Sequence, residues 1–396
     1  MTTAAPLSVA EAQCRLLALA SPVSAHVVPL MASIGHWAAA DIVARYDRPT
    51  DSVSAMDGYA IRHADLPGPW SIIGESAAGH PLNRAIAPGE AARIFTGAVV
   101  PAGTDTVVVQ EDVASDGDVL RITKSAGYGR GQHIRQAGAD FRAAATLIAK
   151  GARLSPARIA LAATAGYESL YVNRPIRVTL IATGDELRAP GQSLEQGQLP
   201  ESNSVMLAAI LRALPVTVTD LGLVPDRLDA LTTAFAGCAG DIIVTTGGAS
   251  VGDHDLVRPA LKAAGGSVDF WRIALRPGKP MLAGTLGTSV VLGLPGNPVS
   301  AFVTAHVFLA PLIAAFGGAS HCIPHTRHAE LGAALSANDS RQDYLRATWQ
   351  GGTVIPAAMQ DSAMLTTLAA ADCLIVRAPH APAAKQGDMV DILPIA

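Results

Sequence analysis

The alternation of apolar strands with helices between residues 177 and 316 is the feature that most restricts the fold of this chain. The predicted strands are apolar, β-branched runs at 177–182, 216–223, 241–244 and 267–275, with two shorter runs near Met281 and Val290. The predicted helices are 203–214, 226–236, 298–316 and a segment that begins at Asp255. Strands that alternate with helices predict a parallel α/β sheet that binds its ligands at the carboxyl ends of the strands.

The Gly-rich turn after the third predicted strand is the strongest single sign of a binding site. Gly247, Gly248 and Ser250 lie between that strand and the next predicted helix. Free backbone N–H groups in such a turn suit an anion. Asp253 and Asp255 would repel a bare phosphate, and a divalent cation between carboxylates and anion resolves that conflict. The alternative interpretation is a solvated loop with an aspartate N-cap.

Two further loops and a cationic turn follow strands of the same predicted sheet. The loops carry Thr183, Gly184, Asp185 and Glu186 in one case and Pro295, Gly296 and Asn297 in the other, while Thr246 ends the third strand. Arg276 and Lys279 belong to a turn with two prolines, and fixed cations there suit an oxyanion. Separate loops at one sheet edge are stronger support for a site than any single loop. For the cationic turn, a solvated surface turn is the alternative.

The rest of the chain predicts further domains around this α/β unit. A capping box at Ser8 and Glu11 opens a helix to about Ala20, a second helix is predicted at about 29–39, and a third at 154–165. Short strands broken by glycine and proline occupy the segments on either side of the α/β unit. The predicted domains are a discontinuous helical domain (1–46 plus 139–173), a β-rich domain (47–138), the α/β domain (174–318) and a C-terminal β domain (319–396).

Composition excludes several classes of protein. A net charge of −4 without a basic stripe argues against a nucleic-acid partner. Four scattered cysteines without a Cys-x-x-Cys pair indicate a reducing, cytoplasmic compartment. The apolar run 301–316 contains His306 and Pro311 and is short for a bilayer span, so a buried helix and no membrane partner are expected. The spacing of His321, Cys322, His325 and His328 matches no metal site, and a linker is expected there.

Six motifs together resemble a known family. In chain order they are Met56-Asp57-Gly58-Tyr59-Ala60, Ile94-Phe95-Thr96-Gly97-Ala98, Thr183-Gly184-Asp185-Glu186-Leu187, Thr246-Gly247-Gly248-Ala249-Ser250-Val251-Gly252-Asp253, Pro277-Gly278-Lys279-Pro280 and Leu294-Pro295-Gly296-Asn297-Pro298-Val299-Ser300. Their order resembles the molybdopterin molybdenumtransferase family, which includes MoeA and the E domain of gephyrin. The resemblance spans nearly the whole chain.

The resemblance implies a fold and an assembly. It implies a discontinuous helical domain, a β-rich domain, a MogA-like α/β domain that binds molybdopterin, and a C-terminal β-barrel. It also implies a homodimer whose active site lies between the α/β domain of one subunit and the β-rich domain of the other. Contacts with the molybdopterin adenylyltransferase and with molybdoenzyme maturation factors are further expectations.

The implied reaction takes adenylylated molybdopterin and molybdate and, with Mg²⁺, yields molybdenum cofactor and AMP. The residues that we expect to be catalytic are Asp57, Asp185, Asp253 and Lys279. The expected Mg²⁺ ligands are Asp185, Glu186, Asp253 and Asp255. The expected substrate-binding residues are Thr96, Arg135, Thr183, Gly184, Thr246, Gly247, Gly248, Ser250, Arg276, Pro295, Gly296 and Asn297.

One departure from the family pattern and two alternative functions remain open at this point. The family often has lysine where this chain has Arg276, whose planar fork makes different contacts. A binding scaffold is one alternative, because the gephyrin E domain also holds peptide partners. A molybdopterin adenylyltransferase is the other, although the additional β domains argue against it.

Overall fold

The computed structural model describes residues 5–124, 127–248, 256–278 and 280–395. Their contacts divide the chain into two compact units. The larger unit comprises Met1–Ala40, Lys150–Ser155 and Ser169–Ala396, and the smaller comprises Asp41–Ala149 and Pro156–Glu168. The domain boundaries expected from the sequence remain a prediction.

Helices and strands follow one another along the described residues. The helices are α1 (Val9–Ala18), α2 (Pro156–Thr164), α3 (Asn203–Leu211), α4 (Leu228–Ala236), α5 (Val257–Ala263), α6 (Pro298–Thr304), α7 (Ala310–Phe316) and α8 (Leu365–Ala369). The strands up to the α/β sheet are β1 (Ala25–Pro29), β2 (Ile42–Val43), β3 (Val53–Ser54), β4 (Gly58–Ile61), β5 (Trp70–Ser76), β6 (Glu90–Ile94), β7 (Thr106–Val109), β8 (Val113–Asp116), β9 (Val119–Ile122), β10 (Ile134–Arg135), β11 (Thr146–Ile148) and β12 (Ser169–Asn173). The remaining strands are β13 (Ile176–Thr183), β14 (Leu187–Arg188), β15 (Leu199–Pro200), β16 (Val216–Val224), β17 (Ile242–Thr246), β18 (Ser267–Arg272), β19 (Leu275–Arg276), β20 (Pro280–Leu286), β21 (Ser289–Leu294), β22 (Arg327–Leu331), β23 (Gln342–Gln350), β24 (Thr353–Pro356), β25 (Cys373–Arg377) and β26 (Met389–Pro394).

The smaller unit is built on a mostly antiparallel sheet. Its strand order is β7-β4-β6-β5-β9-β8, and the short pairs β3–β10 and β2–β11 lie outside that sheet. Ile61, Trp70, Val108 and Leu120 are at most 1% exposed and form the core beneath it. The β-rich texture predicted for this part of the chain is therefore present.

The α/β sheet of the larger unit confirms the predicted fold class. Its order is β16-β13-β17-β21-β20-β18. The first four strands are parallel, and β20 runs antiparallel to its two neighbours β21 and β18. Strands β17 and β21 are buried along their whole length because apolar clusters cover both faces of the sheet. Ligands of such a sheet bind beyond the carboxyl ends of the parallel strands.

A single long helix, 298–316, forms the centre of the larger core. It consists of α6, a π-helical turn (Ala305–Leu309) and α7. Among the described residues it is the one helix whose length and mean hydropathy, 2.0, suffice to span a membrane. Because 78% of it is buried against the α/β sheet and α1, it has the properties of a core helix. The expectation of a buried helix therefore holds.

The prediction of a second N-terminal helix at 29–39 is wrong. β1 ends at Pro29 and pairs antiparallel with β12, and a 3₁₀ turn (Leu30–Ser33) follows. The β-branched pair Val27 and Val28 favours a strand before Pro29, and Gly35 has a φ of 78°, which ends helical geometry within the predicted segment. The first helix is present, and its buried residues Val9 and Leu16 belong to the core cluster that contains the 298–316 helix.

The C-terminal strands close into a barrel, as predicted. β23-β24-β22-β26-β25 are adjacent in that order, and β25 pairs again with β23. β19 pairs parallel with β23, with Leu275 opposite Gln342 and Arg276 opposite Asp343. The cationic turn of the α/β domain thus begins on a strand that is hydrogen-bonded to the barrel.

Candidate functional site

A cavity of about 920 Å³ opens at the carboxyl ends of β13, β17 and β21. The residues from the three predicted loops that line it are Thr183, Gly184, Glu186, Thr246, Gly247, Gly248, Pro295, Gly296 and Asn297. Arg276 from the cationic turn lines it as well. The structure therefore brings the three loops and the turn together at one edge of the sheet. The remaining expected residues of the Gly-rich turn, Ser250, Asp253 and Asp255, and also Lys279, lie outside the described residues.

The glycine at position 247 is required by a close approach of two backbones. Gly247 has a φ of 87°, and a Cβ there would lie 2.1 Å from the carbonyl oxygen of Thr183. The next residue, Gly248, has a φ of 59°, and its Cβ would lie 2.7 Å from a methyl group of Val257. The turn can therefore follow this path only without side chains at both positions.

Gly247→Ala is expected to destabilise the protein by about 2 kcal/mol or more, from positive φ and the backbone clash together. Gly191→Ala is the matched control, because Gly191 also has a φ of 87° and its Cβ would meet no atom within 4 Å. The measurement is the urea unfolding free energy of each variant. Equal losses in the two variants would contradict a tight approach at Gly247.

Three carboxylates lie at this end of the sheet. Glu186 lines the cavity, and its carboxylate lies above Gly184, where a Cβ would be 2.9 Å from Oε2. Asp185 accepts a hydrogen bond from the backbone N–H of Asp226 at 3.3 Å. The hydroxyl of Thr183 donates to Asp226 at 3.4 Å, and Asp226 also lines the cavity. Asp226 belongs to none of the motifs that predicted the site, although its position after β16 at the same sheet edge is a usable signal.

The described residues alone do not form a complete metal centre. No group of three His, Cys, Asp or Glu side chains among them is arranged to hold a metal ion. In the histidine-rich segment, Nδ1 of His328 lies 2.9 Å from a carboxylate oxygen of Asp391. The described residues of this segment form no such group either. Oxygen ligands at the cavity suit Mg²⁺, which normally keeps several waters and takes one or two carboxylates plus substrate phosphates. Glu186 at the cavity fits that pattern, and Asp185 precedes it in the same loop without lining the cavity.

Both terminal nitrogens of the Arg276 guanidinium donate hydrogen bonds to the C-terminal domain. Nη1 donates to Asp339 at 3.3 Å, and Nη2 donates to Asn338 at 3.1 Å and to Asp343. Arg341, which also lines the cavity, donates to the same Asp339 at 2.7 Å. The side chain and the backbone N–H of Arg341 both donate to Asp339. These hydrogen bonds, with the nearby charges of both arginines, lower the pKa of Asp339 to about 2. The cluster of Arg276, Arg341, Asp339 and Asp343 therefore carries two positive and two negative charges.

The C-terminal barrel domain contributes residues to the cavity, and no sequence motif predicted this contribution. The lining residues from this domain are Arg341, Gln360, Ser362, Ala363 and Leu365. Asn297 donates through Nδ2 to the hydroxyl of Ser362 at 2.9 Å, and the backbone N–H of Val299 donates to the Ser362 carbonyl at 3.1 Å. No pattern within 319–396 signals this contact, because it depends on how the barrel packs on the α/β domain.

Three of the expected site residues belong to the smaller unit. Asp57 accepts hydrogen bonds from the backbone N–H of Thr96 at 2.7 Å and from its hydroxyl at 2.8 Å. The backbone hydrogen bond, followed by the hydroxyl hydrogen bond, holds the pKa of Asp57 below its usual value. Arg135 lines a second cavity of about 750 Å³ in that unit, together with Arg48 and Asp140. The structure thus joins Asp57 to Thr96 and places Arg135 in a separate pocket of the same unit.

Comparison with known protein families covers most of the chain. Residues 7–166 match the family described as MoeA N-terminal region (domain I and II). Residues 179–315 match a probable molybdopterin binding domain, and residues 328–395 match the MoeA C-terminal region (domain IV). The three matches occur in one order and leave only short segments between them.

Curated relatives and solved structures agree with these matches. A molybdopterin molybdenumtransferase of Haemophilus influenzae is 37% identical over 317 residues, which cover 79% of this chain and 78% of that protein. One of Staphylococcus aureus is 31% identical over 401 residues, covering 98% and 95%. A molybdopterin biosynthesis MoeA protein of Pyrococcus horikoshii has a solved structure with a TM-score of 0.84 and 25% identity, covering 99% of this chain and 100% of the other. A second solved structure of a MoeA protein from Pyrococcus horikoshii has a TM-score of 0.79 and 27% identity, covering 98% of this chain and 99% of the other.

Proposed function

The chain belongs to the molybdopterin molybdenumtransferase family, and we propose that it inserts molybdate into adenylylated molybdopterin with Mg²⁺-dependent release of AMP. As a member of that family it is a transferase of molybdenum cofactor biosynthesis. The observation that supports the proposed reaction best is the convergence of three loops and a cationic turn on one 920 Å³ cavity. Molybdate-stimulated AMP release by the purified protein is the test.

The Gly-rich turn is the proposed position of the phosphates. Gly247 and Gly248 line the cavity with backbone atoms alone, since neither residue has a side chain. A phosphate can therefore approach backbone N–H groups there at hydrogen-bond distance. Ser250 adds a hydroxyl in the same turn of the sequence.

We propose two different roles for the cationic residues near the molybdate site, attraction of the anion and its orientation. Molybdate is a dianion that must approach an anionic ligand, so uncompensated cations are needed nearby. Arg276 and Arg341 share Asp339 and Asp343, so their cluster is neutral and serves to orient the guanidinium groups. We therefore assign the attraction of molybdate to Lys279, and the positioning of the oxyanion to Arg276 and Arg341.

The carboxylates near the cavity are the proposed ligands of Mg²⁺. Asp185 and Glu186 would hold it, with Asp253 and Asp255 as further candidates. When bound, Mg²⁺ neutralises charge on the phosphate oxygens at the bond that breaks. Asp226 acts through its neighbours, since its backbone N–H fixes Asp185 and its carboxylate accepts from Thr183.

Homodimerisation is the proposed source of the remaining site residues. Asp57, Thr96 and Arg135 would then act on the cavity of the partner subunit. Large apolar side chains exposed on the larger unit support an intermolecular contact; they are Val27, Met31, Ile34 and Tyr171, between 47% and 76% exposed. All four cysteines are free thiols, in keeping with a cytoplasmic protein.

Arg276→Ala is expected to lower the free energy of unfolding by about 2 kcal/mol, because it removes the charged partner of the buried Asp343. Arg276→Lys should recover only part of this loss, since an ammonium group cannot bridge three acceptors in one plane. Urea unfolding measures both. Arg15→Ala, which removes an exposed helix pair with Glu11, is the control and should change little. Full stability of Arg276→Ala would contradict the assigned role of the cluster.

A further inference from the structure

The beginning of α3 presents two buried hydrogen-bond acceptors at the cavity. Glu201 is 6% exposed and Asn203 is 7% exposed, and both line the cavity. Neither residue belongs to the loops that the family motifs mark. A carboxylate and an amide oxygen that are both shielded from bulk water form an unusual lining for a cavity that must accept an anionic substrate.

The orientation of Asn203 follows from its partner. Its Nδ2 donates to the carbonyl oxygen of Gly296 at 2.7 Å, and a carbonyl oxygen can only accept, so the contacting atom must be nitrogen. The other atom, Oδ1, is buried and has no hydrogen-bond partner among the described residues. An unsatisfied buried acceptor is destabilising, and a donor on a bound ligand would remove that cost.

Glu201 prevents this helix end from acting as an anion site. Its Oε1 accepts a hydrogen bond from the backbone N–H of Ser204 at 2.8 Å. The carboxylate thus occupies the position in which a phosphate would bind at the N-terminus of α3, and the side chain of Ser202 makes no capping bond. A phosphate or molybdate at this place would also be repelled by the carboxylate. The ligand group that fits must instead donate hydrogen bonds.

We propose that Glu201 and Asn203 bind the N–H edge of the pterin ring, with Glu201 on the 2-amino group and Asn203 Oδ1 on N3–H. This inference rests on the proposed function, since it assumes that the substrate is a molybdopterin. A 2-amino-4-oxopteridine presents two adjacent donors on that edge, and the two acceptor residues, two positions apart at the beginning of α3, match them in number and kind. Adenine, the other ring of the substrate, presents its amino group beside a ring nitrogen that accepts. Two acceptors therefore select the pterin.

A pair of small ligands tests the assignment of Glu201. Pterin and lumazine differ at position 2, where pterin has an amino group and lumazine has a carbonyl. Both are fluorescent, so their binding to the full-length protein can be measured by equilibrium dialysis with fluorescence detection. The wild type is expected to bind pterin more tightly. Glu201→Gln keeps the shape but offers an amide NH₂, so it should lower the ratio of pterin to lumazine affinity about tenfold or more. Glu195→Gln, an exposed glutamate elsewhere in the domain, should leave the ratio unchanged.

Asn203→Ala distinguishes the two acceptors. Both ligands carry N3–H, so loss of the Asn203 oxygen should weaken pterin and lumazine by the same factor, about tenfold. An unchanged ratio in Glu201→Gln overturns the proposal, and so does a wild type that binds neither pteridine. If Glu201→Gln weakens AMP binding and leaves pterin binding intact, the two residues bind adenine and the proposal is wrong.

The outcome is separable from that of the proposed reaction. Molybdate-stimulated AMP release together with an unchanged affinity ratio would retain the reaction and overturn the pterin assignment. A changed ratio without AMP release would retain the pterin assignment and contradict the proposed reaction.

Discussion

Replacement of Glu186 by glutamine is expected to lower the rate of AMP release about 100-fold at saturating adenylylated molybdopterin. Glutamine keeps the size of the side chain but removes the charge from the carboxylate that lies above Gly184 in the cavity wall. If Glu186 holds Mg²⁺, the Mg²⁺ concentration that gives half-maximal AMP release should also rise. Both quantities come from one series of initial rates at increasing Mg²⁺.

The matched control for this variant is Glu195→Gln. Glu195 is exposed and does not line the cavity among the described residues, so its charge should not affect the rate. A uniform loss of stability would also lower the rate, and unfolding in urea separates that cause. A Glu186→Gln protein that is folded and releases AMP at the wild-type rate would remove Glu186 from the proposed metal site.

Asp241→Asn is expected to cost about 2–3 kcal/mol of unfolding free energy at neutral pH. Asp241 lies just before β17, and its carboxylate accepts two hydrogen bonds from Arg174 at 2.7 and 2.8 Å. It accepts three more from Arg177, from the backbone N–H at 2.8 Å, Nη2 at 3.1 Å and Nε at 3.5 Å. The side chain of Asp241 is 10% exposed. Those of Arg174 and Arg177 are 31% and 56% exposed, so water reduces the cost of breaking the pair.

The pH dependence of this loss has a definite sign. Burial raises the pKa of Asp241, but the hydrogen bonds from Arg174 and Arg177 outweigh burial and hold that pKa well below its usual value. A depressed folded pKa gives a stability contribution that is complete above the unfolded pKa of about 4 and is lost as pH falls below it. The difference between wild type and Asp241→Asn should therefore be constant from pH 8 to pH 5 and shrink in more acidic solution.

Asp229→Asn is the control for the ion cluster. Asp229 also pairs with an arginine, Arg227, but both side chains are more than two-thirds exposed. Its substitution should produce no measurable change in the urea midpoint. Equal effects at positions 241 and 229 would show that burial of the Asp241 carboxylate contributes nothing.

The features that the sequence predicted correctly depend on local periodicity and on the order of strands. The apolar runs at β13, β17 and β21 are continuous because both faces of the sheet are covered, and that pattern is visible without a structure. Once the strands are known to be parallel, the loops that follow them must lie at one edge. That is why Thr183, Thr246 and Pro295 could be assigned to one cavity from the sequence.

The features that the sequence missed depend on contacts between distant segments. Arg276 is a cation in the sequence, and only the pairing of β19 with β23 shows that Asp343 neutralises it. Ser362 reaches the cavity because the barrel packs on the α/β domain, and no local pattern encodes that packing. The helix predicted at 29–39 failed because Gly35 adopts a φ of 78° after the 3₁₀ turn Leu30–Ser33, and because Ala38 then forms a β-bridge with Val172 of β12.

The most direct test of the central proposal is AMP release from adenylylated molybdopterin by the purified wild-type protein with Mg²⁺, in the presence and absence of molybdate. Glu186→Gln and Asp253→Ala, assayed in parallel, report whether the release occurs at the proposed cavity. We predict that molybdate stimulates release by the wild type and that both variants lose the stimulation. Binding of the substrate by folded wild-type protein without AMP release would contradict the proposed reaction and leave a molybdopterin-binding protein.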